Sequence, residues 1–322
     1  MKATKVISIL AAAAMMASFA GCSNGTTSSS SVTQGTSSES APAQNSADNT
    51  AGSAASESTA ALTDDITVIS REEGSGTRGA FVELMGILQK NADGKEEDMT
   101  TENAEITQST SVVLQSVADN KDAVGYISLG SLNDSVKAIK VDGVEPSVED
   151  ILNGSYSVAR PFVVCYKEGE LNDLAADFMT FIMSDQGQAI ISENGYISVG
   201  SEGEYTGSGM KGDLTLSGST SVSPVMEKIA DAYKAINPDS VIAVQQTGSG
   251  AGITAASEGA CDIGMSSRAL KDTELAKGLT AKTIANDGIA VIVNLENPVE
   301  GLTSGQIRDI YTGSITNWAE LG

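Results

Sequence analysis

The sequence predicts an α/β fold. Strand-like and helix-like patterns alternate from residue 66 to residue 312. Three strand-to-helix turns are built almost wholly from Gly, Ser and Thr, and a Gly-rich polar stretch at 200–212 divides the alternating region into two runs. About 260 residues follow the N-terminal polar tract, enough for a sizeable core in one domain or two lobes.

The first run opens with a strand over 66–70 (ITVIS) and an amphipathic helix over 79–90. A helix over 109–119 and a strand over 123–128 (AVGYIS) come next. Strands are expected at 136–141 and 158–166, then a long helical stretch over 171–193, with Leu171, Leu174, Phe178, Phe181 and Ile182 at helical spacing. The second run has a strand over 213–217, a helix over 224–235, a strand over 241–245 and a short helix over 251–257. A strand starts near 262, an apolar strand covers 284–293, and a helix covers 303–312. The expected segments are therefore 63–205 and 213–322, with 206–212 as the linker.

The N-terminus sets the compartment. Lys2 and Lys5 precede an apolar run over 6–20, the length of a signal-peptide core and too short for a comfortable membrane span. Phe19-Ala20-Gly21-Cys22 follows and resembles the lipobox of bacterial lipoproteins, which implies a leader over 1–21 and a lipid on Cys22. Residues 23–62 are nearly all Ser, Thr, Ala, Gly, Asn and Gln, so they cannot bury a core. Such a chain has an r.m.s. reach of about 35 Å, which suits a tether over 22–62 holding a domain off a membrane. The expected location is the extracytoplasmic face of the cell membrane.

Composition excludes several functions. The net charge of −23 argues against nucleic acid, which requires a basic footprint. It also argues against a broad electrostatic funnel for anions, so a bound anion must be held by local dipoles and single arginines. The chain contains no histidine, which removes a Ser-His-Asp triad and leaves few ligands for zinc. Cys165 and Cys261 sit in apolar stretches and read as small core residues, and nothing in the sequence supports a disulfide between them. No metal or cofactor is expected.

The three special turns are Ile69-Ser70-Arg71-Glu72-Glu73-Gly74-Ser75-Gly76-Thr77-Arg78-Gly79, Ser217-Gly218-Ser219-Thr220-Ser221-Val222-Ser223-Pro224, and Gln246-Thr247-Gly248-Ser249-Gly250-Ala251-Gly252. A helix N-terminus offers unpaired N–H groups and about half a positive charge, glycine lets backbone approach closely, and hydroxyls add donors. Together these make an oxyanion cradle. Arg71 can add a bidentate contact, with Glu73 available to hold its guanidinium. Gly/Ser turns are also ordinary helix caps, and a single one would carry little weight. Gly74, Gly76 and Gly79 fit a dinucleotide fingerprint, but charged residues separate them from the strand and no acid follows at the required distance. A P-loop Gly-Lys-Ser/Thr is absent, and Ser75 or Ser249 as a nucleophile would lack a histidine base.

At these residues the chain resembles a family. SREEGSGTRGAF, LSGSTSVSPVMEKIADAY, QTGSGAGITAASEGACDIGMSSRAL and LTSGQIRDIYTGSITNWAELG are similar to the phosphate-binding proteins of ABC phosphate importers, in their Gram-positive-like branch, and the likeness covers 65–322. The resemblance implies a two-lobed periplasmic-binding-protein-like fold of type II that closes on an anion, with an ABC permease as partner. The segment order departs from the family, where the piece like 212–322 comes first and the piece like 66–199 follows. A circular permutation would place Gly322 near Asp65. The other explanation is a truncated tandem that continues into a second copy of 66–199. In both cases 212–322 is the complementary half for 66–199.

Carried over from the family, Thr220, Ser221 and Ser249 would face the anion from one lobe, and Arg71, Ser75, Gly76 and Thr77 from the other. Ser267 stands where better-known members place an Asp that accepts the ligand's proton, which puts discrimination against sulfate in doubt. Arg268 would be either a supplementary charge for the anion or, the favoured reading, a solvent-facing residue; Arg78 is expected at the surface, and Tyr311 and Trp318 in the core or between the lobes. The reading is a non-catalytic receptor for inorganic phosphate. The rivals are a receptor for sulfate, molybdate or an organic phosphate, a sensory or adhesive surface protein, and a phosphatase-like enzyme using the same cradle.

Overall fold

The computed structural model describes residues 64–91 and 93–321. The expected leader, the lipidation site at Cys22 and the tether lie outside the described residues. Among those described, no helix is long and apolar enough to cross a membrane.

The first segment contributes β1 (Thr67–Arg71), α1 (Gly76–Leu84), β2 (Glu105–Thr107), α2 (Thr110–Asp119), β3 (Ala123–Ser128), β4 (Ala159–Lys167), α3 (Asp173–Ile182) and α4 (Asp185–Glu193). The second contributes β5 (Gly212–Gly218), α5 (Ser223–Ile236), β6 (Ser240–Gln246), α6 (Ser249–Glu258), β7 (Ile263–Ser266), β8 (Leu279–Val293) and α7 (Ser304–Tyr311). One sheet threads the body in the order β6-β5-β7-β4-β8-β3-β1-β2. β5 pairs parallel with β6 and β7, and β1 pairs parallel with β2 and β3. Between these parallel halves, β4 and β8 run antiparallel to their neighbours.

Two apolar cores lie at the two ends of this sheet. One gathers Phe162, Phe178, Phe181, Leu214, Leu216, Ile229, Tyr233 and Ile263. The other gathers Phe81, Tyr126, Ile289, Val291, Val293, Ile310, Tyr311 and Trp318. Each core takes residues from both segments, so the lobes do not coincide with the sequence halves. The first lobe is built from residues near 162–285, and the second from 66–158 together with 289–321. The fifteen residues of β8 belong to both. The β4–β8 pairing slips in register between Thr283 and Ala285, a bulge that bends the shared ribbon where the lobes meet.

Local chemistry explains where elements differ from expectation. The helix expected over 79–90 starts at Gly76, because Ser75 caps it and accepts from Arg78 N at 3.3 Å. It stops before Gly86, whose φ of 67° ends a right-handed helix. The stretch 171–193 is two helices, broken where Ser184 caps the second. The strand at 136–141 reduces to pairs of residues at 137–138 and 140–141. The strand at 284–293 extends back to Leu279. α5 places Val225, Met226, Ile229 and Tyr233 on one buried face, and each such side chain removed from water contributes about 1.5–3 kcal/mol.

The stretch around 200–212 has no regular structure before Gly212, yet it is pinned to the first lobe. Tyr205 is buried, and its backbone exchanges hydrogen bonds with the Gln186 side chain. Asp177 accepts from the hydroxyls of Tyr205 (2.5 Å), Ser208 (2.6 Å) and Tyr233 (2.5 Å). The beginning of the body meets its far end: Ile66 N donates to Thr316 O at 2.8 Å, Trp318 N donates to Asp64 O at 3.2 Å, and Asp65 bridges to Asn317. Tyr311 and Trp318 pack in the second lobe's core as expected. Cys165 and Cys261 are free and buried, and burial pushes the Cys165 thiol up to about 12 and that of Cys261 to about 11.

Candidate functional site

The site forms where the C-terminal ends of parallel strands from both lobes face each other, the usual position for a ligand in an open α/β sheet. In the first lobe, the turn after β5 carries Thr220 and Ser221. Gly218 sits at φ 145°, and a Cβ there would lie 2.1 Å from Met265 O, so only glycine lets the turn press against β7. Ser219 N donates to Met265 O at 2.9 Å. The turn after β6 is pinned in the same way, with Gly248 N donating to Gly218 O at 2.9 Å. This holds Ser249 at the start of α6. Ser267 follows β7, and its N–H donates to Ser249 Oγ at 3.2 Å.

In the second lobe, β1 ends at Arg71, which is 2% exposed. Tyr126 fixes its backbone by accepting from Arg71 N at 3.3 Å, and Tyr126 itself stacks on Phe81 with ring centroids 3.9 Å apart. Burial pushes the Tyr126 phenol up to about 12, so it stays protonated. The Arg71 guanidinium is gripped by Glu72, with Nε to Oε2 and Nη2 to Oε1 both at 2.8 Å. This corrects the expectation for Glu73. Ser75 N donates back to Glu72 O, and the resulting turn leaves Glu73 exposed while Glu72 stays beside the guanidinium.

The two sets meet. Arg71 Nη2 donates to Thr220 Oγ1 at 3.1 Å, and the Thr77 and Ser221 hydroxyls lie 2.9 Å apart. A Cβ on Gly76 would fall 2.5 Å from Ser249 Oγ and 2.7 Å from Ser267 Oγ. Gly250 N donates to Gly74 O across the lobes at 3.0 Å. Ser75, Thr77, Thr220, Ser221, Ser249 and Ser267 are all buried. The structure thus assembles Arg71, Ser75, Gly76, Thr77, Thr220, Ser221, Ser249 and Ser267 in one place, and leaves Glu73 outside it.

Thr110 is the member that sequence reasoning missed. Its Oγ1 lies 3.3 Å from Thr220 Oγ1, 3.3 Å from Ser221 Oγ and 3.5 Å from Arg71 Nη1. The signal was present: Ser109-Thr110-Ser111 opens the helix after β2, the same strand, hydroxyl-rich turn and helix design without the glycines. Four helices, α1, α2, α5 and α6, therefore direct their first turns at this cluster. None of the four has an acid in its first turn, whereas α3 and α4 carry Asp173 and Asp185 there. The positive ends of these helices are left without an internal carboxylate, an arrangement that favours a bound anion.

Two arginines correct the expectation of solvent-facing side chains. Arg78 is 17% exposed, pairs with Asp98 at 2.8 Å and donates to Arg71 O at 2.8 Å. Arg268 pairs through both terminal nitrogens with Glu274 at 2.8 and 2.7 Å. Both line a cleft of about 820 Å³ that opens beside the cradle and is also bordered by Ser75, Arg160 and Gly250. Behind it, Arg160 and Asp287, opposite each other on β4 and β8, form a fully buried ion pair at 3.0 Å. Ser128 adds a hydrogen bond to Asp287 at 2.9 Å, so the pair joins both crossing strands to β3.

The chain matches the model of the PBP superfamily domain over residues 33–186 and 203–322. It is 43% identical to the phosphate-binding protein PstS 2 of Streptococcus agalactiae, across 100% of this chain and 99% of that one. It is 47% identical to the phosphate-binding protein PstS 2 of Streptococcus pneumoniae, across 84% of this chain and 91% of that protein. Among solved structures, the phosphate-binding protein of a phosphate ABC transporter from Streptococcus pneumoniae superposes with a TM-score of 0.64 at 46% identity, covering 80% of this chain and all of that one. With the two-lobed sheet, the paired Gly/Ser/Thr turns and these matches together, the chain belongs to the PBP superfamily, in the PstS family of phosphate-binding proteins.

Proposed function

We propose that this protein is a non-catalytic, extracytoplasmic receptor that binds inorganic phosphate and passes it to an ABC permease, held at the membrane by a lipid on Cys22. The observation that carries the reading is the buried cluster at which four helix N-termini, seven hydroxyls from both lobes and Arg71 converge. Apart from Glu72, which is bound to Arg71, its named side chains carry no carboxylate. An anion enclosed there is shielded from water, where each charge-assisted hydrogen bond is stronger. The proposed ligand-facing residues are Arg71, Ser75, Gly76, Thr77, Thr220, Ser221, Ser249 and Ser267. The names of the streptococcal relatives support phosphate as the anion and an ABC transporter as the partner.

The test is calorimetric titration with phosphate and then sulfate at neutral pH, on the protein and on Arg71→Ala. Tight one-to-one phosphate binding that disappears in the variant supports the receptor and its site. Unchanged affinity in Arg71→Ala refutes the site, and a folded protein that binds sulfate but not phosphate transfers the reading to another oxyanion.

The segment order belongs to the same proposal, as a circular permutation within the family. What supports it is that both segments enter each core and that residues 64–66 lie against 316–318. A chain rebuilt as 213–321 followed directly by 64–211 should fold and bind phosphate like the parent. Failure of that chain to fold would count against the permutation.

A further inference from the structure

We infer that Thr110 is a ligand-binding residue of this site, delivering a hydroxyl polarised by Arg71 to the anion. The assignment rests on the phosphate-receptor reading above.

Thr110 is 5% exposed, and its Oγ1 lies within hydrogen-bond distance of three residues of the cradle. Arg71 has only protons to give, so at Arg71 Nη1 the Thr110 oxygen must accept. The single hydroxyl proton is then not used at Arg71 and is available to another acceptor. Thr220 and Ser221, two of the hydroxyls that the first lobe brings to the anion, lie 3.3 Å from Thr110 Oγ1. Arg71 N–H, Thr110 O–H and an anion oxygen form a chain in which each bond polarises the next, and the last donor is stronger than an isolated hydroxyl.

The position is also unusual within its helix. Ser109 is the N-cap and accepts from Val112 N at 3.3 Å, so Thr110 is not needed for capping. Thr110 is the first helical residue, and its hydroxyl is buried beside Thr220 and Ser221 of the opposite lobe. A threonine needed only for helix stability would place its hydroxyl on the backbone or in solvent.

Because Thr110 belongs to the second lobe and its partners Thr220 and Ser221 to the first, its hydroxyl contributes in the closed arrangement. It should therefore act mainly on phosphate dissociation. The test compares full-length protein with Thr110→Val, which keeps shape but removes the hydroxyl, and Thr110→Ser, which keeps the hydroxyl. Phosphate affinity is read by calorimetry and dissociation by stopped flow. Loss of one hydrogen bond to a charged partner corresponds to about ten- to a hundredfold in affinity. Thr110→Val should weaken phosphate by that factor through faster release, with ligand-free melting unchanged, and Thr110→Ser should restore binding to within about threefold. Parental affinity in Thr110→Val, in a protein that Arg71→Ala still disables, would overturn the assignment while leaving the receptor reading intact. Equal losses in the Val and Ser variants would overturn it as well, as a packing effect. If the parent itself binds no phosphate, the receptor reading fails and this assignment falls with it.

Discussion

The carbonyl oxygen of Gly74 accepts a hydrogen bond from Gly250 N–H at 3.0 Å, joining the two lobes by backbone alone at the rim of the anion cradle. The neighbouring glycine, Gly76, approaches the opposite lobe far more closely. The contrast gives a paired prediction. A Cβ on Gly250 would sit 3.5 Å from Gly74, ordinary contact, whereas one on Gly76 would sit 2.5 Å from Ser249 Oγ. Gly250→Ala should bind phosphate within about threefold of the parent. Gly76→Ala should force the Ser249 and Ser267 hydroxyls aside and lose at least about a hundredfold, the cost of two charge-assisted hydrogen bonds, with a small change in melting temperature. Similar affinities for both variants would show that the lobes do not close at this spacing.

The grip of Glu72 on Arg71 has a measurable consequence. Glu72→Gln should weaken phosphate binding by about tenfold, since a charge-assisted bidentate contact no longer orients the guanidinium. Glu73→Gln, at an exposed side chain, should bind within about twofold. Tighter binding by Glu72→Gln would mean that repulsion between Glu72 and the anion outweighs its positioning of Arg71.

The buried Arg160–Asp287 pair should matter for stability. Removing one partner leaves a buried charge without compensation and costs about 3–5 kcal/mol. Urea unfolding of Asp287→Asn should show a loss of that order. The double variant Arg160→Met with Asp287→Leu should recover much of it, because both desolvation penalties vanish together. A loss below about 1 kcal/mol in the single variant would show that water reaches the pair.

Acid should weaken the rim. Burial alone would raise the carboxyls of Asp98 and Glu274. Hydrogen bonds from Thr100 and Arg78 to Asp98, and from Arg268 and Lys271 N–H to Glu274, outweigh it and hold both below their ordinary 3.8 and 4.5. Groups depressed in the folded state stabilise it above their unfolded values, and that contribution disappears as pH falls through the folded ones. Melting temperature should therefore drop between about pH 5 and about pH 3. Arg268→Met should start lower and fall less steeply over that range, and an unchanged slope would remove Glu274 from the account.

Much of the fold and the cradle was legible because both depend on local rules. Glycine and hydroxyl residues between a strand and a helix announce an anion-friendly turn through spacing, which marked the three turns and Arg71, while Ser75, Thr77, Thr220, Ser221 and Ser249 were singled out within them by the resemblance to the phosphate-binding family. Thr110 carried only a weak signal, a hydroxyl-rich turn without glycine that resembles any capped helix start. The exchange of Glu73 for Glu72 was hidden. Two adjacent glutamates have the same composition, and only the turn closed by Ser75 N on Glu72 O decides which one faces Arg71.

The sequence by itself determined the alternation of strands and helices, the anion-friendly turns and the scarcity of other chemistry in a chain without histidine, because these follow from residue type and short spacing. The tertiary structure alone decided how the pieces combine. β8 passes through both lobes, and each core draws on both segments. Arg78 and Arg268 turn inward to Asp98 and Glu274. The physical reason is that these features depend on groups far apart in the chain, whose meeting is set by burial of the two cores and leaves no trace in local spacing.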